Sequence, residues 1–395
     1  MSKLPLVCLR RGEERRLRSG HPWAFSNEID MTAPTKALEP GSVVALATAG
    51  GERLGLATFN PHSLIGARLL SRDVDTPVDA SFFAARFARA QALREKLIGR
   101  PFYRLVHAEA DGLPGLIVDR FGDIFAVQAN TAGMDRLLPQ IVEALQSTFA
   151  PQAIVLKNDS PVRGLEGLGQ SVDVAHGKVE DAIAVEEYGA HFFADLVGGQ
   201  KTGWFYDQRD NRHLVGRLAK DARVLDVYCY AGGFAVQAAL GGAREVLAVD
   251  RSEGALALAQ RSAAANGVEG RLRTRKAEAF EALEAMIAAR ERFEVAIVDP
   301  PAFVKSRKDI KAGTQGYRKL ARLAGQLVAP GGLLFIASCS HLMEPPLFAD
   351  TVRHGLADLR RGARVLYSLG AAPDHPVHPA LPESAYLKAQ LLQLD

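Results

Sequence analysis

Residues 224–234 read Val224-Leu225-Asp226-Val227-Tyr228-Cys229-Tyr230-Ala231-Gly232-Gly233-Phe234. A short apolar strand runs into a glycine turn, and the apolar stretch Ala235 to Ala239 follows at once. Glycines in such a turn let the backbone approach a ligand, and the N-terminus of a following helix favours negative charge. Working outward, Val246 to Val249 is a second apolar strand and residues 253–265 have helical character. Val295 to Val298 and Leu333 to Ala337 are two more strands, bracketing a helix near 315–328. Strands alternating with helices of this length predict a parallel sheet covered on both faces, a doubly wound α/β fold.

Asp250 closes the strand after the glycine turn, where an acidic side chain accepts the two hydroxyls of a ribose. An acid at that place also suits NAD. The turn, however, lacks the G-x-G-x-x-G pyrophosphate fingerprint, which favours a nucleoside ligand without phosphates. S-adenosylmethionine is such a ligand. Glu278, after the basic strand Arg271 to Lys276, is a candidate acceptor for the adenine amino group and equally a solvated carboxylate at a helix start. The segment from Gln200 to Arg212 is dense in aromatic and forked donor side chains. Within it Arg209 is placed to clamp a carboxylate, Gln208 to assist and Phe205 to cover the ligand, unless the segment is a plain amphipathic surface helix.

Two later strands end in chemistry. Asp299-Pro300-Pro301 follows one, and Ser338-Cys339-Ser340 ends the other. Ligand clefts of α/β folds open at strand C-termini, so a nucleophile and an acid are expected side by side. Cytosine carbon 5 is too electron-poor to attack a sulfonium until a nucleophile adds to carbon 6, and a thiolate does this well. Cys339 fits that role, or is an inert buried thiol; its serine neighbours and His341 predict an open, polar setting. Asp299 would hydrogen-bond the far edge of the base, and if protonated would relieve charge at ring nitrogen 3. The same loop permits a rival reading. Methylases of exocyclic amines carry an aromatic residue directly after the prolines to stack on a flipped base. Here Ala302 occupies that place and Phe303 comes one later.

Upstream, residues 1–72 hold short β-like runs, Leu6 to Leu9, Val43 to Ala47 and Leu64 to Leu70, between Gly and Pro breaks, which predicts a small β-barrel. Residues 81–98 have helical spacing, with Phe83, Phe87, Ala90 and Leu97 near one face. Gly115 to Arg120 and Ile124 to Gln128 flank Phe121-Gly122-Asp123 as a hairpin, followed by a helix over 132–148 and a strand over 153–157.

The 395-residue chain is 48% hydrophobic with a net charge of +3, enough for several buried cores and only mildly basic. Any nucleic-acid contact must therefore come from local patches. Cys8, Cys229 and Cys339 are far apart, with no spacing for zinc or a disulfide framework, so no metal is expected. With no signal-peptide core and no apolar span of membrane length, a soluble cytoplasmic protein is expected and no membrane partner.

Together these features resemble the PUA-domain large-subunit ribosomal RNA 5-cytosine methyltransferases, the large methyltransferase I family. The matching stretches are GHPWAFSNEI at 20–29, AEADGLPGLIVDRFGD at 108–123, TGWFYDQRDNR at 202–212, YAGGFAV at 230–236, DPPAF at 299–303, SCS at 338–340 and DHPVHPALPESAYLK at 374–388. The resemblance implies an N-terminal PUA barrel over 1–72, a central β-rich α+β domain over 73–190 and a Rossmann-like methyltransferase domain over 191–395. It implies Cys339 as the nucleophile and Asp299 as the acid holding the base. The candidate residues for S-adenosylmethionine are Phe205, Gln208, Arg209, Asp226, Tyr228, Gly232, Asp250, Glu278, Asp299 and Pro300.

Ribosomal RNA is the implied partner. Arg10, Arg11, Arg15, Arg16 and Arg18 form a basic cluster beside His21 and Trp23, suited to phosphate and stacking contacts or to a solvated face. Arg307, Lys308 and Lys311 follow the Asp-Pro-Pro loop and would hold RNA near it. Asp374 and His375 lie in a Pro-rich loop, with His375 a candidate proton acceptor or part of a structural turn. Related RNA cytosine methylases of another branch place a second cysteine where Ala302 stands, and family members often have Lys there, so removal of the carbon 5 proton is unassigned. Three functions stay open on the sequence: carbon 5 methylation, exocyclic amine methylation, and a non-catalytic RNA-binding assembly factor. The sequence is compatible with a homodimer through the sheet or the barrel and does not decide it.

Overall fold

The computed structural model describes residues 4–395. By packing, the chain forms two compact units.

The first unit begins with β1 (Leu6–Cys8), α1 (Arg15–Arg18), β2 (Trp23–Ala24), α2 (Ala33–Lys36), β3 (Ser42–Ala47), β4 (Arg53–Phe59) and β5 (Ala67–Ser71). The strands make one sheet in the order β1-β3-β4-β5-β2, and a bridge between Leu9 and Ile29 ties the β1 edge back on itself. Val7, Leu9, Leu17, Ile29, Val44, Leu46 and Phe59 fill it. Strand β4 was not among the expected runs. Gly55 interrupts its pattern, and glycine is required there, since φ is +153° and a Cβ would lie 2.2 Å from the Ser71 carbonyl oxygen.

A second sheet, β10-β9-β8-β7-β6, belongs to the same unit. It is entered by α3 (Ala80–Leu97) and built from β6 (Phe102–His107), β7 (Leu116–Phe121), β8 (Ile124–Ala129), α4 (Ala132–Arg136), α5 (Leu138–Phe149), β9 (Ala153–Asn158) and β10 (Ser171–Gly177). Asp79 caps α3 through the N–H groups of Ser81 and Phe82. Phe83, Phe87 and Ala90 face the core as expected, but Leu97 is 48% exposed because it lies in the last turn, past the end of the apolar stripe. Its place on the buried face is taken by Arg94, fully enclosed and forked onto both oxygens of Asp111 at 2.7 Å. The single helix expected over 132–148 is two. Leu137 breaks it, since Pro139 has no N–H to continue a ladder and instead sits in the first turn of α5. The β7–β8 hairpin closes on Gly122 and Asp123, with Gly122 at φ +63°.

The second unit opens with β11 (Ile183–Glu187), β12 (Ala190–Ala194) and α6 (Arg209–Arg217). It continues as β13 (Arg223–Val227), α7 (Gly233–Leu240), β14 (Glu245–Asp250), α8 (Glu253–Ala265), β15 (Leu272–Lys276), α9 (Ala279–Ala288), β16 (Phe293–Val298), α10 (Ile310–Leu327), β17 (Val328–Ser338), α11 (Pro345–Ala357), β18 (Ala363–Leu369) and β19 (Lys388–Leu394). Its sheet runs β15-β14-β13-β16-β17-β19-β18. The first five are parallel and β19 is antiparallel to both neighbours. Val224, Leu225 and Val227, like Val295 to Val298, are buried on both faces, which is why they read as unbroken apolar runs. The chain leaves β13 toward β14 and later returns on its other side as β16, so a crevice opens at the carboxyl ends of these strands.

The division expected at residue 191 needs one correction. Asp195–Trp204 and Asp374–Pro382 pack with the first unit, so 191–395 is not one contiguous body. Thr202 donates to Asp119, and Asp374 accepts from the Arg104 N–H at 3.0 Å through Oδ2 and from Arg94 at 3.1 Å through its carbonyl. Among the described residues no helix is long and apolar enough to cross a membrane.

Candidate active site

The crevice begins at the end of β13. Asp226 is 1% exposed; Oδ2 accepts from the Ala235 N–H at 3.0 Å, while Oδ1 is buried without a hydrogen-bond partner. Burial pushes this carboxyl up to about 8; the Ala235 N–H pulls it down, and the charges of Asp299 and Asp250 add to the rise. The turn that follows is strained. Tyr228 and Tyr230 take φ values of +66° and +49°, uncommon for any residue but glycine, and Gly232 sits at +78° where a Cβ would come 2.7 Å from that of Ala259. Asp250, at the tip of β14, holds the turn: Oδ2 accepts from the Tyr230 N–H at 3.0 Å and Oδ1 from Ser252 at 2.9 Å.

Phe205 sets its ring edge-on to Tyr230 at 5.2 Å. Its carbonyl is held at 2.9 Å by Arg212, a buried guanidinium that also grips Glu187 through Nε at 3.0 Å and a second nitrogen at 2.8 Å. Arg209 is buried with its guanidinium 5.2 Å from the Tyr206 ring, so it is packed into the unit and not displayed on an amphipathic surface. Glu278 is exposed at the N-cap position of α9. An acid at the tip of the second strand, an orphaned buried carboxylate oxygen and a close-approach turn fit a nucleoside carrying positive charge. S-adenosylmethionine meets that description.

Asp299 and Cys339 end neighbouring strands. Val298 of β16 pairs with Ile336 of β17, and Cys339 Sγ lies 4.0 Å from the Pro300 carbonyl oxygen. Gln208 Nε2 donates to Asp299 Oδ2 at 2.9 Å, so it is tied to the acid of the Asp-Pro-Pro loop. The serines around Cys339 are not the open polar setting expected of them. Both are fully buried and bonded to the Tyr317 hydroxyl of α10, Ser338 at 2.8 Å and Ser340 at 2.9 Å. Alternation along the strand then turns Cys339, which is only partly buried, to the opposite side. Phe303 packs inward, its ring 4.7 Å from that of Tyr317 and a would-be Cβ at Gly316 only 3.0 Å away.

The basic N-terminal cluster is of two kinds. Arg16 ion-pairs with Glu28 at 2.9 Å and lies over the Phe25 ring, and Arg18 pairs with Glu52 at 2.5 Å. Arg10, Arg11 and Arg15 are exposed with no ion pair among the described residues. Trp23 is partly buried; its indole N–H donates to Glu109 at 2.8 Å and its ring meets His21 and Phe25 edge-on. Arg307, Lys308 and Lys311 are exposed after the Asp-Pro-Pro loop. Asp374 and His375 are buried in the first unit, joined at 2.8 Å, with His375 against His107 at 5.0 Å between ring centres. These bonds fasten the loop that carries the pair.

Two residues escaped the sequence reading. Tyr317 is a lone aromatic in a helix whose charged residues are all basic, and Lys388 is a cation heading an otherwise uncharged strand, KAQLLQL. Each mismatch with its surroundings was the available signal.

Residues 169–393 match the S-adenosylmethionine-dependent methyltransferase family, and residues 7–72 match the PUA-like domain. The ribosomal RNA large subunit methyltransferase I of Tolumonas auensis is 37% identical over 393 residues, covering 98% of each chain. The protein of that name from Cronobacter sakazakii is 36% identical over 97% of each. A solved SAM-dependent methyltransferase from Streptococcus mutans superposes with a TM-score of 0.82 over 99% of this chain and all of that one, at 21% identity, which shows the shared fold. The strained turn, the acid at the tip of β14 and these matches agree: the chain belongs to the S-adenosylmethionine-dependent methyltransferases with an N-terminal PUA-like domain, the family whose members are named ribosomal RNA large subunit methyltransferase I.

Proposed function

We propose that the protein methylates carbon 5 of a cytosine in large-subunit ribosomal RNA through a covalent adduct to Cys339, acting in the cytoplasm. The substrate class follows the name of relatives that match end to end. The choice of atom is our inference, and one observation supports it. Phe303 is partly buried with its ring packed against Tyr317, whereas Cys339 stands at the tip of β17 beside the Asp-Pro-Pro loop.

In this reading the Cys339 thiolate adds to carbon 6, and the electron pair of the ring becomes available at carbon 5. S-adenosylmethionine supplies the methyl group as an electrophilic sulfonium. Asp299, its Oδ2 fixed by Gln208, holds the base edge. Loss of the carbon 5 proton to solvent then expels the thiolate and restores the aromatic ring. The exposed Arg10, Arg11 and Arg15, with Arg307 and Lys308, are assigned to the RNA backbone.

Cys339→Ala tests the proposal directly. With labelled donor and ribosomal RNA, the wild type should yield 5-methylcytosine by nucleoside mass and the variant at least about 10³-fold less. Methylation retained in the variant, or a methyl found on an exocyclic nitrogen, would overturn the covalent mechanism.

A further inference from the structure

Lys388 begins β19, paired across the sheet with Ser338. It is 6% exposed, and its ammonium donates to two carbonyls on either side of the nucleophile's turn, Ser340 at 2.6 Å and Met343 at 2.7 Å. An ammonium in such a place normally has a carboxylate beside it, because removing an unpaired charge from water is costly. Lys388 has none among the described residues; the bonds to the two carbonyls are its polar contacts. Cys339 and His341 flank the Ser340 carbonyl that it holds, Tyr317 on α10 is bonded to the Ser340 hydroxyl, and Tyr386 lies two residues before it in the chain. The His341 ring lies tilted against Tyr386 at 5.4 Å, Tyr317 is bonded to both serines, and Asp299, beyond β16, is held by Gln208. The group that acts electrostatically on the ammonium is the Cys339 thiol.

We propose that Lys388 is the positioning residue of the thiol chemistry: its buried ammonium stabilises the Cys339 thiolate from beneath the strand tip, while its bonds to Ser340 and Met343 fix the turn that aims the sulfur. The inference rests on the covalent reading above for its role in methyl transfer. Ionisation releases the thiol proton to solvent and leaves an ion pair. When the thiolate adds to carbon 6, its charge moves to the ring and the ammonium loses its partner. Elimination restores the pair, so the cation favours expulsion of the thiolate at the step for which Ala302 offers no releasing group. Burial pushes the ammonium down to about 8 and the Cys339 charge pushes it up, so it is still protonated at neutral pH.

The test is the rate of Cys339 alkylation by iodoacetamide against pH, without RNA, the modified peptide being identified by mass to separate it from Cys8 and Cys229. In the wild type the midpoint should lie below the usual thiol value of about 8.5. Lys388→Met should raise it by about one unit, slowing alkylation at pH 7 about tenfold. Lys388→Arg should keep most of the effect. A wild-type midpoint at or above the usual value overturns the proposal, whether or not Lys388→Met folds. So does a folded Lys388→Met with an unchanged midpoint, or a Lys388→Arg that behaves like it. A low midpoint together with an active Cys339→Ala enzyme would keep the ion pair and remove the covalent reading; an ordinary midpoint with an inactive Cys339→Ala would do the reverse.

Discussion

The side-chain amide of Gln208 donates to Oδ2 of Asp299 at 2.9 Å while its own oxygen accepts from Asn211 at 2.6 Å. Asn211 also donates to the Gly370 carbonyl at 3.1 Å, so the direction of the whole relay is fixed and Gln208 must present N–H to the acid. Gln208→Leu removes that donor at nearly equal volume. It should lower kcat about 10- to 100-fold, with the KM for the methyl donor changed much less, measured by initial rates at saturating RNA.

Asp226 makes stability depend on pH. The folded carboxyl keeps its proton up to about 8 whereas the usual value is 3.8, so the native state binds more protons between those limits. Stability should fall as pH rises through that window, by up to about 1.4 kcal/mol per unit, and level off above it. Asp226→Asn should flatten the slope. Chemical denaturation of the cofactor-free protein from pH 5 to 9 checks it, and an identical slope in the variant would count against a buried protonated carboxyl.

Asp250 serves two masters, the Tyr230 backbone and, in the proposed site, a ribose. Asp250→Ala should weaken S-adenosylmethionine binding about 10- to 100-fold, the range for hydrogen bonds to a charged acceptor. Calorimetry reads this directly, and RNA affinity should not change with it.

The arginines of the N-terminus should separate by what already neutralises them. Replacing Arg10, Arg11 and Arg15 together should lower RNA affinity and reduce the salt slope of log K by about two to three. Replacing Arg16 and Arg18, which already neutralise Glu28 and Glu52, should change the slope by less than two. Filter binding across a salt series distinguishes the two sets.

The parallel part of the second unit was readable because strands buried on both faces are apolar throughout, and β13, β14 and α8 have nearly the expected limits. Strand β18 was missed for the opposite reason. It is an edge strand, exposed at Val365, Leu366 and Tyr367, and burial leaves no alternating trace in it. In the site, Asp226, Asp250, Asp299 and Cys339 announce themselves by ending strands. What Gln208, Tyr317 and Lys388 do depends on which elements pack or pair at the ends of β16 and β17, and no local pattern encodes which residue meets which. The return of Asp374 to the first unit, between long stretches of the second, is likewise a long-range fact.

That return limits how the molecule can be divided for experiments. A fragment ending near residue 190 would contain Arg94 and the Arg104 backbone N–H but lack Asp374, which accepts from both, and would lack Thr202 against Asp119. The Arg104 N–H would lose its side-chain partner, and Arg94 and Asp119 would each lose one of theirs, at about 1–3 kcal/mol for a group that stays buried. RNA binding is therefore better measured on the intact chain with point substitutions than on an excised N-terminal half.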